Sequence, residues 1–306
     1  MILSCGEALI DMLPRQSMGG ESCFAPYPGG AVFNTSIALG RLGVPASFFS
    51  GISTDLFGEI LEESLSQSNV DCALSVRSDR PTTLAFVKLV NGQATYAFYD
   101  ENTAMRMLTP GDLPVLPDDV DALFFGGISL VGEPCGGAYQ ALMERESPNR
   151  VTMIDPNIRP SFITDEAAYR DRITAMISMA DIVKLSDEDL AWLYGPGDMI
   201  AQAQELAAGG VKLVCITEGA KGAHGINANL QTFVAATKVD VVDTVGAGDT
   251  FNAGVLASLH QNGALTKAAL GSLGKEKVDA ALSLGTRSAA VTVSRAGANP
   301  PWAREL

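Results

Sequence analysis

Short runs of consecutive apolar residues recur along this chain without strict alternation between apolar and polar positions. They occupy residues 2–4, 47–50, 123–125, 151–154, 182–185, 213–216 and 289–293. Glycine, proline, aspartate or serine bounds each run. Strands that are buried on both faces have this pattern, so the runs predict a mostly parallel sheet covered by helices.

Helical spacing of apolar residues fills most of the intervals between these runs. The predicted helices cover residues 31–41, 56–67, 137–144, 167–179, 199–208 and 276–287. An alternation of strands and helices predicts a doubly wound α/β fold with three layers, α/β/α.

Two strand-like segments interrupt this alternation. Residues 82–90 and 93–99 are separated by Asn91-Gly92, which is typical of a two-residue hairpin turn. An antiparallel hairpin within a parallel α/β chain predicts a second, small sheet, which we interpret as a lid over a pocket. The alternative is that the hairpin extends the edge of the main sheet.

A glycine-rich loop carries the main candidate chemistry. Residues 243–251 read DTVGAGDTF, between a strand-like run at 239–242 and a helical pattern at 251–259. Gly246 and Gly248 expose backbone N–H groups where the helix begins, and these donors with the helix dipole favour a phosphate-like anion. Asp249 would lie beside that anion and could orient the attacking hydroxyl in phosphoryl transfer. The alternative is a tight turn in which Asp249 or Thr250 caps the helix.

A second glycine-rich segment precedes the helix predicted at 31–41. Gly29 and Gly30 expose backbone donors at the helix start, and Asn34 lies in its first turn. An amide side chain both donates and accepts hydrogen bonds. This combination suits a polyol better than a phosphate.

The amino-acid composition limits the kinds of binding partner that this protein can have. The chain has 306 residues, 47% of them apolar, with a net charge of −14 and a pI near 4.5. This acidity argues against nucleic acid or an anionic membrane as partner, and no apolar run reaches membrane-spanning length. Five cysteines without C-x-x-C spacing indicate buried or free thiols in a reducing compartment, and no export signal is visible. We therefore predict a cytoplasmic protein.

Together, the Gly-Gly-helix-Asn segment and the DTVGAGDTF segment resemble the paired signatures of the ribokinase-like (PfkB) carbohydrate kinases. The resemblance spans nearly the whole chain and implies a ribokinase-like fold, with a mostly parallel central sheet and a small β-sheet lid. It also implies ATP-dependent phosphorylation of a sugar hydroxyl with Mg²⁺. We accordingly treat residues 1–306 as a single kinase domain, with lid strands inserted at about 12–30 and 80–107.

The resemblance implies roles for the residues of the two signatures. Asp249 matches the catalytic base of the family. The backbone amides of Gly246, Ala247 and Gly248 match its anion hole. Residues that would hold the sugar are Asp11, Gly29, Gly30 and Asn34. Because Asp249 lies at a helix start, we expect its carboxyl group to have a low pKa.

Further matches lie between the signatures. Arg159 resembles a family arginine that reaches the phosphoryl group or the substrate, where a guanidinium could neutralise charge. The alternative is a structural ion pair of Arg159 with Asp155 or Glu166. The positions that match nucleotide-binding residues are Lys184, Thr217, Gly219 and Gly222.

The resemblance also implies ion sites. Asp189 matches a region that acts on the magnesium–phosphate cluster, and as a short side chain it would contact Mg²⁺ through water. Asp243 and the Val245 carbonyl match a monovalent-cation site. K⁺ is therefore a candidate cofactor beside ATP and Mg²⁺.

The opening sequence GEALID at residues 6–11 looks most like the fructokinase branch, which implies transfer to the 6-hydroxyl of D-fructose. The close alternative is 2-keto-3-deoxygluconate kinase, whose lid typically offers Tyr-x-Arg to the substrate carboxylate. The matching stretch here is Phe98-Tyr99-Asp100. Asp100 should repel a sugar acid and accept hydrogen bonds from a neutral polyol, although Arg106 could partly restore positive charge.

Two other classes of protein and one assembly are compatible with parts of this sequence. A non-catalytic sugar-binding protein of the same fold is the alternative from a different class, but it would not need Asp249. A nicotinamide-dependent dehydrogenase is disfavoured because no G-x-G-x-x-G follows the first strand. An apolar outer face of the lid could also pair with its copy in a homodimer.

Overall fold

The computed structural model describes residues 1–90 and 93–306, and within 87–96 it describes strands but not side chains. The predicted Asn91-Gly92 turn therefore lies outside the described residues. The strands are β1 (Ile2–Cys5), β2 (Leu9–Gln16), β3 (Ser22–Gly29), β4 (Ala46–Phe49), β5 (Gly51–Ser53), β6 (Val70–Asp71), β7 (Val76–Ser78), β8 (Leu84–Val90), β9 (Gln93–Tyr99), β10 (Ala122–Gly126), β11 (Val151–Asp155), β12 (Ile182–Ser186), β13 (Leu213–Thr217), β14 (Gly222–Asn227) and β15 (Leu230–Ala235). The helices are α1 (Ala31–Arg41), α2 (Leu56–Gln67), α3 (Cys135–Glu146), α4 (Glu166–Met179), α5 (Asp187–Tyr194), α6 (Met199–Ala208), α7 (Ala247–Gln261), α8 (Lys267–Leu270) and α9 (Lys275–Val293).

A large sheet forms the middle layer of the fold. Within the described part of the chain it has nine strands, in the order β15-β14-β13-β12-β11-β10-β1-β4-β6. The strands from β13 to β6 in this order run parallel, and β14 and β15 extend the sheet in antiparallel fashion. The predicted mostly parallel sheet is confirmed.

Helices cover both faces of the large sheet. Helices α1, α2, α7 and α9 enclose one apolar core, which Phe48 of β4 and Phe124 of β10 enter. Helices α3, α4, α5 and α6 enclose the other core, which Phe49 and Phe125 enter. Successive residues of a strand point to opposite faces, so an unbroken apolar run fills both cores. The predicted three-layer arrangement is confirmed.

Most predicted helices match the observed ones closely. Helices α1, α2 and α6 begin and end at the predicted residues, whereas α3 and α9 extend beyond the predicted bounds. No helix within the described residues is both long and apolar enough to cross a membrane.

The strand predicted at 289–293 is wrong, because these residues are the last turns of α9. Helix α9 packs tightly on α7: a Cβ atom added at Gly254 would lie 2.6 Å from the Gly285 Cα atom. The preference of β-branched residues for strands is context-dependent, and here the contact between two helices overrides it.

The strand predicted at 239–242 is also wrong. Val241 and Val242 are exposed, and the Val242 amide donates to the Val293 carbonyl at the end of α9, at 2.8 Å. Among the described residues no strand pairs with this run. Without a ladder to join, its valines do not form a strand.

The topology of the large sheet creates a crevice at its carboxyl edge. Strand β1 pairs with β4 on one side and with β10 on the other. The chain builds the β4–β6 side first and the β10–β15 side later, so the loops that leave β1 and β10 diverge. Open α/β sheets bind ligands at such a switch point.

A separate small sheet has the order β3-β2-β8-β9. Strands β2 and β3 are antiparallel, as are β8 and β9, while β2 and β8 are parallel. The predicted hairpin is therefore part of a second sheet, and the alternative of an extended main sheet is wrong.

One face of the small sheet is directed toward the large sheet. Asp11, Ala85 and Phe98 are register partners across three strands, so their side chains share this face. The Phe98 ring lies 4.5 Å from the ring of Phe162, which follows β11. We call the face that carries Asp11, Ala85 and Phe98 the inner face.

Candidate active site

The predicted anion loop lies where α7 begins. Gly246 caps the helix in a left-handed conformation, with φ 79°, and a Cβ atom there would lie 2.8 Å from the Ala298 Cβ atom. Both the dihedral and the space require glycine. The Ala247 amide donates weakly to the Thr244 carbonyl at 3.3 Å. The first turn of α7 therefore directs backbone donors toward the carboxyl edge of the sheet.

Asp249 is 6% exposed and lies between two asparagine side chains. Asn34 Nδ2 of α1 donates to Asp249 Oδ2 at 2.9 Å, and Asn157 Nδ2 donates to Oδ1 at 3.4 Å. Thr35 Oγ1 donates to the Asp249 carbonyl at 3.1 Å. The structure thus joins the two glycine-rich segments at one carboxylate.

The expected low pKa of Asp249 is wrong. Burial raises the pKa of this carboxyl to about 7, against the opposing hydrogen bond from Asn34. Asp155 raises the pKa further, and Lys184 lowers it. Loss of hydration outweighs the helix dipole because a buried carboxylate has lost the water that stabilises its charge. At neutral pH the group is poised to gain or lose a proton.

A buried ion pair between two strands of the large sheet lies near Asp249. Lys184 Nζ of β12 lies 2.9 Å from Asp155 Oδ2 of β11, and Asn252 Nδ2 of α7 donates to the same oxygen at 2.7 Å. Burial lowers the pKa of Lys184, but the charges of Asp155 and Asp189 more than offset this, and the pKa is raised overall. Lys184 is therefore a buried cation at the sheet edge.

Lys184 also approaches the anion loop. A Cβ atom added at Gly248 would lie 3.3 Å from Lys184 Nζ. The absence of a side chain at Gly248 therefore leaves room for the ammonium group beneath the first turn of α7.

Arg159 forms an ion pair with neither Asp155 nor Glu166, so the structural alternative for this residue is wrong. Asp155 is paired with Lys184, and Glu166 is paired with Arg170 at 2.8 Å. Arg159 is exposed and its Nη1 atom donates to the Ile158 carbonyl at 2.9 Å. Its guanidinium is thus accessible at the edge of the crevice.

The predicted sugar-binding residues meet at the start of α1. Gly29 lies so close to Asp11 that a Cβ atom would be 2.3 Å from Asp11 Oδ2, and Gly30 caps α1 with φ 109°. Burial raises the pKa of Asp11 to about 6. Asp11 and Phe98 share the inner face, and Gly29 and Gly30 connect β3 of the small sheet to α1, whose first turn carries Asn34.

Asp100 and Arg106 are paired. Arg106 Nη1 lies 2.5 Å from Asp100 Oδ2, and Arg106 Nε donates to the Glu133 carbonyl at 2.7 Å. The negative charge of Asp100, which was predicted to face the sugar, is therefore balanced by the positive charge of Arg106.

The predicted nucleotide loop follows β13. Thr217 ends the strand, and Gly219 has φ 52° with open space around it. Gly222 has a packing explanation, because its φ is 140° and a Cβ atom would lie 2.2 Å from the Val234 carbonyl. Gly219 is thus the glycine of this loop at which a ligand could approach the backbone.

The two aspartates predicted to hold ions have structural partners. Asp189 accepts the Ile158 amide at 3.0 Å and the Ser186 amide at 3.2 Å, which favours a structural role over the predicted magnesium contact. Asp243 accepts the Val245 amide at 3.0 Å and the Gly297 amide at 2.9 Å. These bonds fix the loop before α7, and the cation site stays a prediction.

Two residues at the site were not predicted. Asn157 has a positive φ of 46° after β11, a conformation that asparagine tolerates, and this turns its amide toward Asp249. Glu7 is buried and accepts the Ala31 amide at 2.8 Å and the Ser129 amide at 3.2 Å. Glu7 thereby replaces the missing side-chain cap of α1. A carboxylate two residues after the first strand was the available signal.

Comparisons with known proteins agree with this architecture. The model of the pfkB family carbohydrate kinases matches residues 1–304. A fructokinase of Rhizobium leguminosarum bv. trifolii is 57% identical over 276 residues, which cover 90% of this chain and 85% of that protein. Fructokinase-2 of Zea mays is 31% identical over 309 residues, which cover 98% of this chain and 90% of that protein.

A solved structure has the same fold. The fructokinase of Xylella fastidiosa with bound ATP matches with a TM-score of 0.87 and 28% identity, covering 97% of this chain and 93% of that chain. The predicted resemblance is therefore confirmed: this chain belongs to the PfkB family of carbohydrate kinases.

Proposed function

We propose that this carbohydrate kinase transfers the γ-phosphoryl group of ATP to the 6-hydroxyl of D-fructose. Relatives named fructokinase, one of them 57% identical, support the sugar, and the ATP-bound fructokinase of Xylella fastidiosa supports the nucleotide. The single observation that carries the proposal is Asp249, buried at the start of α7 between Asn34 and Asn157.

Asp249 is the proposed catalytic base. Its Oδ2 atom is held by Asn34 at 2.9 Å, whereas Oδ1 has the longer 3.4 Å contact with Asn157. The more weakly held Oδ1 would accept the proton of the 6-hydroxyl as the sugar oxygen attacks phosphorus. A pKa of about 7 suits a group that must be ionised before the step and protonated after it.

Charge on the transferred group would be stabilised from two sides. Backbone amides of Gly246, Ala247 and Gly248 would hold the phosphoryl oxygens, and the exposed Arg159 would reach them from the β11 loop. Lys184 is buried and paired with Asp155, so its positive charge would stabilise the phosphoryl group electrostatically, without direct contact. ADP is the leaving group, so no covalent enzyme intermediate is required.

The sugar would lie between the inner face and α1. Asp11, Gly29, Gly30 and Asn34 would hold its hydroxyls, with Phe98 and Asp100 on the side of the small sheet. This sheet would act as a lid that excludes water from the transferred group. The nucleotide would extend toward Thr217, Gly219 and Gly222. We propose that residues 1–306 work as one domain and that lids of two copies can pair.

Mg²⁺ would reach the site with the nucleotide. Among the described residues no group of three or more His, Cys, Asp or Glu side chains could hold a metal ion. Mg²⁺ is usually bound by substrate phosphates and water with one or two carboxylates. Bound Mg²⁺ supplies positive charge to the phosphates. K⁺ beside Asp243 and the Val245 carbonyl is proposed as the monovalent cation.

Two alternatives make different predictions. A 2-keto-3-deoxygluconate kinase would need an accessible cation on the inner face, and Arg106 is already paired with Asp100. A non-catalytic sugar-binding protein would have no need of a proton acceptor such as Asp249 beside the amides of the loop before α7.

An ADP-release assay coupled to NADH oxidation tests the proposal. ATP, MgCl₂ and KCl are supplied with fructose, ribose, adenosine or 2-keto-3-deoxygluconate in separate reactions. We expect the highest kcat/KM with fructose. A higher kcat/KM with 2-keto-3-deoxygluconate would show that this sugar acid, and not fructose, is the substrate. Fructose binding in calorimetry without ADP release would indicate a non-catalytic sugar-binding protein.

A further inference from the structure

An ion pair between Asp100 and Arg106 lies where the chain leaves the small sheet after β9. Asp100 directly follows β9, and Arg106 lies six residues further along the chain, with 2.5 Å between Asp100 Oδ2 and Arg106 Nη1. The segment between them is anchored, because Thr103 Oγ1 lies 2.8 Å from Thr83 Oγ1 beside β8. The pair is thus part of a defined structure.

This pair lies on the side where the sugar is proposed to bind. Alternate residues of an extended chain share a face. Asp100 is the first residue after β9 and follows Phe98, whose side chain lies on the inner face, by two positions. The side chains of Asp100 and Arg106 are 28% and 32% exposed, so a solute can reach both.

The guanidinium is held in position by more than Asp100. Arg106 Nε donates to the Glu133 carbonyl at 2.7 Å, and a Cβ atom at Gly132 would lie 2.3 Å from Arg106 Cζ. The absence of a side chain at Gly132 therefore admits the guanidinium. A fixed guanidinium is a site for a carboxylate, which it can bind with two parallel hydrogen bonds.

We propose that Asp100 is an internal counter-ion that occupies Arg106 and so restricts the sugar site to uncharged sugars. This inference rests on the proposed function of the same site. A sugar acid would have to displace Asp100 from Arg106. The displaced Asp100 carboxylate would then lie unpaired beside the carboxylate of the sugar acid. Repulsion between the two negative charges disfavours binding of the acid. The excluded class is the sugar acids, and the specificity-determining residues are Asp100 and Arg106.

The test changes the charge of residue 100 with little change in shape. For wild type and Asp100→Asn, kcat/KM is measured with fructose and with 2-keto-3-deoxygluconate, and calorimetry gives the affinity for each. In Asp100→Asn we expect the acid-to-fructose ratio of kcat/KM to rise about tenfold or more, because Arg106 is released. A pair this exposed contributes little to stability, so the variant should fold.

Two controls assign the effect to the pair. Glu101→Gln removes the same charge from the next residue, which is exposed, and should leave the ratio at its wild-type value. Asp100→Asn combined with Arg106→Met should abolish the gain for the acid. An unchanged ratio in Asp100→Asn, or a gain that persists in the combined variant, would overturn the proposal.

Failure of the proposed function would be recognised separately. Wild type that releases no ADP with fructose contradicts the fructokinase assignment, whatever the variants do. Calorimetric affinity for the acid still reports on the counter-ion in that case. A rise for Asp100→Asn supports the proposal, and no rise refutes it.

Discussion

Asp249 shows how a single residue can be set between two opposing electrostatic effects. The start of α7 favours a negative charge, whereas burial removes the water that stabilises it. Burial dominates, and the pKa of Asp249 is raised to about 7. Hydrogen bonds from Asn34 and Asn157 orient the carboxylate without restoring the lost hydration. The residue that we propose as base is therefore half ionised near neutral pH.

The pH dependence of the reaction should report this pKa. We expect kcat/KM for fructose to rise with pH and to level off above a pKa near 7, since the protonated acid cannot accept the hydroxyl proton. Initial rates between pH 5 and pH 9 check this. Asp249→Asn should lower kcat by about 10²–10⁴-fold at pH 8. A wild-type profile that stays flat down to pH 5 would contradict the assignment.

The same residue should reduce stability at neutral pH. Its pKa is higher in the folded protein than the usual 3.8, so its contribution is most favourable below pH 4 and is lost as the pH rises through about 7. Asp249→Asn removes this ionisation. We expect its Tm to exceed that of wild type at pH 8, with a difference that shrinks toward pH 4.

A matched variant separates burial from position at a helix start. Asp187 is exposed in the first turn of α5, where its charge interacts favourably with the helix dipole. Asp187→Asn should leave Tm unchanged or lower it slightly at pH 8. Thermal unfolding of both variants gives the comparison, and an equal response of the two would refute the burial explanation.

At the scale of elements, helix α7 connects the two glycine-rich segments to the large sheet. Its first turn supplies the proposed anion hole, Asp249 meets α1, and Asn252 meets β11 one turn later. Its opposite side packs on α9 through Gly254 and Gly285. The position of the proposed catalytic carboxylate therefore depends on how α7 begins.

Glycines at the two ends of α7 provide a matched test. Gly246 and Gly263 both have positive φ, 79° and 61°, but only Gly246 has a neighbour within Cβ contact range, at 2.8 Å. Gly263→Ala should cost about 1 kcal/mol of unfolding free energy and retain activity. Gly246→Ala should cost about 1 kcal/mol more because the added methyl group must displace Ala298.

Activity distinguishes the two variants further. We expect kcat of Gly246→Ala to fall by at least tenfold, because a shifted first turn moves both the loop amides and Asp249. Urea unfolding and steady-state kinetics measure the two effects. Equal kcat values for Gly246→Ala and Gly263→Ala would show that the start of α7 has no special part in catalysis.

At the scale of the whole molecule, the charged groups of the large sheet are divided between its edges. The carboxyl edge gathers Glu7, Asp155 and Lys184, all nearly inaccessible, beneath the proposed site. The amino edge has the pair of Lys267 and Asp181, at 2.6 Å, in which Lys267 remains one-third exposed. Because the charged groups at the carboxyl edge are buried, removal of one partner there should destabilise the protein more than removal of Lys267 at the amino edge.

Removal of one cation at each edge of the sheet tests this contrast. Lys184→Met leaves Asp155 buried without its counter-ion, and we expect a loss of about 3–5 kcal/mol of unfolding free energy. Lys267→Met removes the partner of Asp181 at the other end of β12 and should cost less, about 1 kcal/mol, because the Thr152 amide and hydroxyl still donate to Asp181 and water can enter where the one-third exposed lysine lay. Urea unfolding of both variants measures the difference. Similar losses would show that burial of the Lys184 pair has no special effect.

Much of the fold follows from the periodicity of the sequence. Buried strands of a parallel sheet have continuous apolar runs, and helices have a period of 3.6 residues, so the layers and most helix bounds were predictable. The runs at 289–293 and 239–242 were misassigned because β-branched residues occur in both contexts. Only packing against α7, or the lack of a neighbouring strand, distinguishes them.

The sequence by itself determined the chemistry available at the site: glycines that admit a loop at the start of α7, Asp249 beside it, Gly30 before α1 and Asn34 in the first turn of α1. Such local features depend on residue type and spacing within one segment. Tertiary structure decided which groups meet, since Asn34 and Asp249 are 215 residues apart and Asn157 joins them from a third segment. It also decided the pKa of Asp249, because desolvation depends on everything that packs around a carboxyl group and on no single stretch of chain.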